Sequence, residues 1–269
     1  MKKFSLLVLL ISGLLWVGCN GYNQVVKSDD YGRKFELANS LYDGGQEVRS
    51  IALYEQVYQR MPKSSEGEIA YFRIGKAYYI GKDYYMAGYF LGQFSTRFAS
   101  SPKAEEALFL SAMCSVQNSP ESSLDQNDTE LAINDFQQFV NRFPNSVLLD
   151  SCNHTIDRLR YKLEEKAYKS VKLYSKTENF RAAVSSAETF LADFPRSKFR
   201  EEVFYVCVFN SFEYAKNSVE NKKSDRYDEA TERYRNFVAE FTESKYNVIL
   251  TRLADGVEKD RTELETNKK

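Results

Sequence analysis

The stretch Phe136–Ser146 has the sequence FQQFVNRFPNS, and altered copies of it occur four more times along the chain. In each copy, large apolar residues are spaced to share one face of a helix. A Pro, Ala or Thr then stops the helix, and a serine follows where it can cap the next one. Each copy therefore predicts the end of one helix and the start of another. The other four copies are Tyr54–Ser64, Leu91–Ser101, Ala187–Ser197 and Tyr234–Ser244.

A small residue precedes the central apolar residue of every copy by seven positions. Three of the copies also have an aromatic residue three positions before the small one. A small residue framed by aromatic residues allows a second helix to approach closely, so each copy is predicted to be half of a helical hairpin. The small residues are Ser50, Ala87, Ala132, Ala183 and Ala230.

The central apolar residues recur at intervals of 37, 45, 51 and 47 residues, which is typical of a solenoid of helix pairs. The second repeat also matches the spacing of a tetratricopeptide (TPR) repeat, in which Gly75 and Ala87 would mark the contact between the two helices. We therefore predict an all-α fold, an α-α superhelix of about five TPR-like helix pairs with a C-terminal capping helix. The predicted superhelical domain covers 29–265, with repeats at about 29–63, 66–101, 104–146, 147–197 and 200–244 and the capping helix at 245–265.

The first 18 residues have the three parts of an export signal. Two lysines precede an apolar run of about 14 residues, which is shorter than the roughly 20 that a membrane-spanning helix needs. The sequence Trp16-Val17-Gly18-Cys19 resembles a bacterial lipobox, with Trp16 where Leu is usual. We therefore predict a lipoprotein signal peptide over 1–18 and, on Cys19, a covalent diacylglycerol and an N-acyl chain such as palmitate. The alternatives are a membrane-anchoring helix and a secreted protein with an unmodified cysteine.

Residues 19–28 are short and polar, and they are predicted to form a lipidated flexible tether of about 30 Å at full stretch. No acidic cluster directly follows Cys19. This favours the periplasmic leaflet over export to the cell surface.

Composition and residue types argue against several function classes. The net charge of −1 gives no reason to expect nucleic acid binding. The single histidine, His154, and the cysteines Cys114, Cys152 and Cys207 have the spacing of neither a CxxC motif nor a zinc site. We predict no enzyme, no catalytic residues, no metal site and no cofactor beyond the lipid on Cys19. The other three cysteines are expected to be buried, although one disulfide between adjacent repeats stays open.

Three polar or charged segments interrupt the apolar pattern. Residues 117–128 are predicted to be an excursion loop with too few apolar residues to order itself, either a tolerated insertion or a partner contact. A long helix over about 147–175 carries many basic residues, either as a solvated face or as a docking surface for an acidic partner. Residues 220–225 are predicted to be a charged linker.

The lipobox, the five TPR-like repeats and the closing helix together resemble the BamD family, the lipoprotein subunits of the outer-membrane β-barrel assembly machinery. The FPxS endings at Phe143–Ser146 and Phe194–Ser197, the polar segment of the third repeat and the run Arg158–Leu163 are similar as well. The resemblance implies a lipid-anchored scaffold at the periplasmic face of the outer membrane. Its implied partners are a BamA-like barrel subunit with periplasmic domains, bound by the later repeats, and unfolded outer-membrane proteins, recognised by the early repeats.

The densest aromatic patch of an early repeat lies in the second repeat. Most of these tyrosines are expected to fill the hairpin interior, whereas Tyr79 and Tyr85 are expected to be available for contacts with substrate peptides that end in aromatic residues. The patch consists of Tyr71, Tyr78, Tyr79, Tyr84 and Tyr85.

Two other functions stay open. One is a TPR adaptor lipoprotein for cell-envelope maintenance or division, whose relatives usually have fewer repeats and a coiled coil. No sustained heptad pattern is visible in this sequence. The other is an envelope enzyme, for which activity on a small substrate would have to be found.

Overall fold

The computed structural model describes residues 21–266, in which there are twelve α-helices and no strand. This confirms the predicted all-α fold. The predicted signal peptide and Cys19 lie outside the described residues. The helices are α1 (21–27), α2 (Tyr31–Asp43), α3 (Glu47–Arg60), α4 (Ser65–Ile80), α5 (Tyr84–Arg97), α6 (Ala104–Asn118), α7 (Asn127–Arg142), α8 (Leu149–Lys176), α9 (Phe180–Asp193), α10 (Arg200–Lys216), α11 (Glu220–Glu240) and α12 (Asn247–Thr266).

The chain forms two compact units, one up to Leu159 and one from Arg160 onward. In the first unit, α2 to α7 form three antiparallel helix pairs, and each helix packs against the next. In the second unit, α10 packs against α9 and α11, and α12 covers both α10 and α11. Leu250 of α12 is completely buried in this contact, as a terminal capping helix requires.

The recurring stretch supplies the cores of the repeats. Its central apolar residues and the small residues seven positions before them are all at most 1% exposed. Each later copy also places a second phenylalanine one helical turn further on, so the two rings pack with their centroids 5.0 to 5.4 Å apart. These ring pairs are Phe94–Phe98, Phe139–Phe143, Phe190–Phe194 and Phe237–Phe241.

Gly75 marks the contact between α4 and α5, as its position in the TPR pattern predicts. A Cβ atom at this residue would lie 2.7 Å from Cγ and 3.2 Å from the backbone nitrogen of Leu91. Ala87 is completely buried nearby on α5. Any larger side chain at position 75 would push the two helices apart.

The serines that close the recurring stretch differ from their predicted role as helix caps. Only Ser64 caps its helix directly, by accepting a hydrogen bond from Gly67 N at 3.0 Å. The other four accept a bond from the backbone nitrogen two residues on, in a turn that ends just before the next helix. Because this turn separates the serine from the helix, the serine hydroxyl bonds the turn and does not cap the helix. These four serines are Ser101, Ser146, Ser197 and Ser244.

The predicted flexible tether is wrong for residues 21–27, which form α1 and pack against the first helix pair. Val25 is 4% exposed in the first core cluster, and Tyr22 packs against the same cluster. The Tyr22 hydroxyl donates a hydrogen bond to the carbonyl of Arg49, and the Arg49 guanidinium lies 5.0 Å from the Tyr22 ring centroid. Burial of these apolar side chains orders a segment whose polar composition suggested none.

Two other polar segments are also more ordered than predicted. Residues 119–126 form a compact turn around Gln126, which is 5% exposed. Its side-chain amide donates to the carbonyls of Glu121 and Leu124, and its carbonyl accepts from the Thr129 hydroxyl. Hydrogen bonds to one buried side chain therefore replace the apolar burial that the segment lacks. The predicted charged linker at 220–225 is the start of α11.

Cys114, Cys152 and Cys207 are buried, free thiols in three different core clusters. This agrees with the expectation of small buried residues, and the three thiols form no disulfide. His154 is exposed on α8.

Candidate functional site

A groove of about 280 Å³ lies in the first unit between α5, α6 and α7. Helix α6 forms its floor, and α5 and α7 form its two walls. Its lining divides into an aromatic wall, a narrow floor and an acidic wall.

The aromatic wall consists of tyrosines from the start of α5. Tyr85 and Tyr89 stand one helical turn apart and are 70% and 56% exposed, which is unusual for such large apolar rings. Tyr84 lies beside them and is half-buried. Three rings on one wall therefore offer a surface for an aromatic or aliphatic side chain of a partner.

The two tyrosines that the sequence predicts to be available for substrate peptides lie in different environments. Tyr85 lines the groove and is exposed, and its contact with a substrate peptide stays a prediction. Tyr79 is half-buried outside the groove lining, where it packs edge-to-face against Tyr84 with ring centroids 5.7 Å apart. Tyr79 therefore supports the wall instead of presenting a surface of its own.

The floor is narrow because α5 and α6 approach each other at a glycine. A Cβ atom at Gly88 would lie 3.3 Å from Cβ of Cys114. The Ser111 hydroxyl donates a hydrogen bond to the carbonyl of Gly88 at 3.0 Å. This contact fixes the spacing of the two helices and so sets the depth of the groove.

The acidic wall comes from α7, where Asp128, Leu131 and Asp135 share one face. Leu131 is 52% exposed, and the half-buried Asp135 accepts a hydrogen bond from the Ser115 hydroxyl at 2.5 Å. Burial raises the pKa of Asp135, while the bond from Ser115 acts in the opposite direction. Carboxylates beside tyrosines can accept backbone or side-chain N–H groups from an extended segment.

The sequence argument missed Tyr89, Leu131 and Asp135. Tyr89 follows Tyr85 by four positions, and Asp135 follows Leu131 by four, so helical spacing contains the signal. What the spacing does not show is that the two faces are turned toward each other across α6.

The second unit has a smaller cavity of about 150 Å³ between α9, α10 and α11. Arg233 is half-buried there and forms ion pairs with Glu188 at 2.7 Å and Glu229 at 3.3 Å. Arg226 lies 4.1 Å from the Tyr214 ring centroid. Arg181 is exposed beside them on α9. The lining therefore contains three arginines and two glutamates, and both glutamates pair with Arg233.

Within residues 21–266, the structure holds no group of three or more side chains suited to bind a metal ion. No helix of that range is long and apolar enough to cross a membrane. Burial raises the pKa of the Cys114 and Cys207 thiols to about 12, so neither is an activated nucleophile.

Comparison with known proteins relates the chain to envelope lipoproteins. A curated relative, the outer membrane protein assembly factor BamD of Caulobacter vibrioides, is 25% identical over 142 residues. This match covers 53% of the chain and 47% of the relative, so the chain spans about half the length of the curated relative that it matches.

Two solved structures are of a kinesin light chain from Podosopora anserina with nearly identical TPR-like repeats, one of them a single-residue variant. They are 13% and 15% identical, cover 79% and 81% of this chain and 96% and 100% of their own chains, and have TM-scores of 0.32.

The YfiO family, described as outer membrane lipoprotein, matches in two overlapping segments, residues 34–187 and 163–255. Together these segments include α3 to α11 and most of α2. Because the match covers most of the chain, the protein belongs to the YfiO family of outer membrane lipoproteins.

Proposed function

We propose that this protein is a lipid-anchored scaffold of the outer-membrane β-barrel assembly complex, acting at the periplasmic face of the outer membrane. The observation that carries the proposal is the YfiO family match across residues 34–255. The name of the Caulobacter relative supplies the assembly role. Two binding surfaces without an activated nucleophile are compatible with a scaffold.

In this proposal, the groove of the first unit binds extended segments of unfolded outer-membrane proteins. Tyr85 and Tyr89 would bury an aromatic or aliphatic side chain of the segment. Asp128 and Asp135, on the opposite wall, would accept N–H groups that an extended chain leaves unpaired. The second unit, with its arginine-lined cavity, would bind the BamA-like barrel subunit through its periplasmic domains.

The proposed anchor is the lipid on Cys19. A Cys19→Ser variant removes the atom that carries the diacylglycerol, so the exported protein should appear in the soluble periplasmic fraction. The wild-type protein should fractionate with the outer membrane. Retention of the variant in the outer membrane would show that the lipid is not what holds the protein there.

Photocrosslinking tests the substrate role of the groove. Replacement of Tyr85 by a photoreactive phenylalanine should give crosslinks to unfolded outer-membrane proteins in living cells. The matched control is the same replacement at Tyr174, a 39% exposed tyrosine of α8 in the second unit. Equal crosslinking at both positions, or none at Tyr85, would argue against the groove as the substrate site.

A further inference from the structure

The docking of α1 limits how far the first unit can lie from a lipid attached to Cys19. Gly21, the first described residue, follows Cys19 by two positions. Two residues span at most about 7 Å even when fully extended. Because α1 is packed against the first helix pair, the acyl chains would hold that pair directly at the membrane surface.

The start of α1 lies at one particular edge of the first unit, here called the turn edge. This edge contains the turns between α2 and α3 (44–46), α4 and α5 (81–83), and α6 and α7 (119–126). Tyr22 joins α1 to the edge through the carbonyl and guanidinium of Arg49, in the first turn of α3. The Val48 side chain next to it approaches Gly81 so closely that a Cβ there would lie 3.0 Å from Val48 Cγ2.

The turn edge exposes several large apolar side chains. Val48 is 59%, Ile80 is 48% and Leu124 is 57% exposed, and each lies in or beside one of the three turns. Tyr85, the second residue of α5 after the second turn, is 70% exposed. Apolar side chains at every turn of one edge are a costly arrangement in water, and a lipid surface would remove that cost.

The charges of the edge indicate the kind of lipid. Arg49 and Lys82 are basic, whereas Asp43, Glu47, Asp83, Glu121 and Asp125 are acidic, so the edge carries more negative than positive charge. A mixture of both signs suits zwitterionic headgroups better than a strongly anionic surface. The position of the anchor and the exposed apolar residues therefore both indicate a phospholipid surface at the turn edge.

We propose that the turn edge of the first unit lies on the zwitterionic phospholipid leaflet in which the Cys19 lipid is embedded, with Val48 and Ile80 at headgroup depth. This inference rests on the lipid anchor of the proposed function. It does not depend on the assembly partners. In this arrangement α1 joins the repeats to the membrane at a fixed distance.

A tryptophan reporter can test the contact, since the only tryptophan of the chain is Trp16, within the predicted signal peptide. Val48→Trp and Ile80→Trp place a reporter on the turn edge of the lipidated protein. Val147→Trp is the matched control, because Val147 is a 95% exposed valine of the same unit that lies in the turn between α7 and α8, at the opposite ends of the helices. Each protein, with its acyl chains verified by mass spectrometry, is bound to phosphatidylethanolamine vesicles that contain brominated phosphatidylcholine.

Bromine atoms quench tryptophan only at short range, so the two edge reporters should lose more than half of their emission while the Val147 reporter keeps most of it. Vesicle flotation confirms that each protein is bound. Bound protein with unquenched reporters at both edge positions, or with equal quenching at Val147, would overturn the contact and leave the anchor intact. Absence of the acyl chains would overturn both the anchor and the contact.

Discussion

Gly75 shows at the scale of one residue how tightly the second repeat is packed. Its missing side chain allows Leu91 to rest against the backbone of α4. We predict that Gly75→Ala lowers the free energy of unfolding by about 1–2 kcal/mol, because the cost of overpacking exceeds the gain in helix propensity. Urea denaturation followed by circular dichroism measures the change.

Gly256→Ala is the matched control for this prediction. Gly256 lies in α12, and a Cβ atom there would meet nothing within 4 Å. The control should therefore be neutral or stabilise the protein by up to about 1 kcal/mol, through helix propensity alone. An equal response of the two glycines would contradict the close contact at Gly75.

The buried thiols predict a dependence of stability on pH. Burial raises the pKa of Cys114 and of Cys207 from 9.0 to about 12. Between these values an unfolded thiol loses its proton while a folded one keeps it, so the stability contributed by these thiols is complete below pH 9 and falls as the pH rises toward 12. At pH 8 a thiol reagent should label Cys114 and Cys207 only as fast as the protein unfolds. Rapid labelling of either thiol in the folded protein would show that it is accessible.

The sequence predicts buried residues better than exposed ones. The small and the central apolar residues of each copy could be identified as core because a helical period of about 3.6 places them on one face. The same period gives no basis for distinguishing Tyr79 from Tyr85, since both lie in the same aromatic patch. Their different exposure depends on the packing of Tyr79 against Tyr84, which is a contact between helices.

At the scale of the elements, three of the closing serines hold the end of a repeat against the first helix of the same repeat. The Ser197 hydroxyl donates to a carboxylate oxygen of Glu164 on α8 at 2.5 Å, and its oxygen accepts from Phe199 N at 2.9 Å. Two earlier serines form the same pair of contacts. They are Ser101 with Glu68 and Lys103, and Ser146 with Glu105 and Leu148.

We predict that Ser197→Ala destabilises the protein by about 1–2 kcal/mol, because two partly buried hydrogen bonds are lost. Ser224→Ala, at an exposed position of α11, is the control and should change stability by less than about 0.5 kcal/mol. Urea midpoints of the two variants provide the comparison. If Ser197→Ala were as harmless as the control, the serine would contribute little to holding the end of its repeat against α8.

The helices could largely be predicted from the sequence, whereas several connections could not. The recurring stretch indicates where α3, α5, α7, α9 and α11 end because each end repeats the same residues. The order in α1 and in the turn around Gln126 depends on contacts with residues distant in the chain or on one buried amide. Polar composition predicts neither contact, so the sequence predicts a flexible tether and an excursion loop for these two segments.

At the scale of the whole molecule, the two units have different proposed roles. The first unit would bind substrate segments, and the second unit would bind the barrel subunit. If the arginine-lined cavity binds an acidic side chain of the barrel subunit, Arg181→Glu should lower recovery of that subunit several-fold, because repulsion replaces attraction. Arg196→Glu, at an exposed arginine outside the cavity, provides a control with the same change of charge. Quantitative co-purification compares the two variants. Equal recovery would place the barrel subunit elsewhere.

The most direct test of the assembly role is affinity purification of the tagged, lipidated protein from mildly solubilised envelopes, followed by mass spectrometry. The account predicts recovery of a large barrel protein with repeated periplasmic domains. Consistent absence of such a protein, with peptidoglycan-binding or division proteins recovered in its place, would contradict the account and favour a TPR adaptor of the cell envelope.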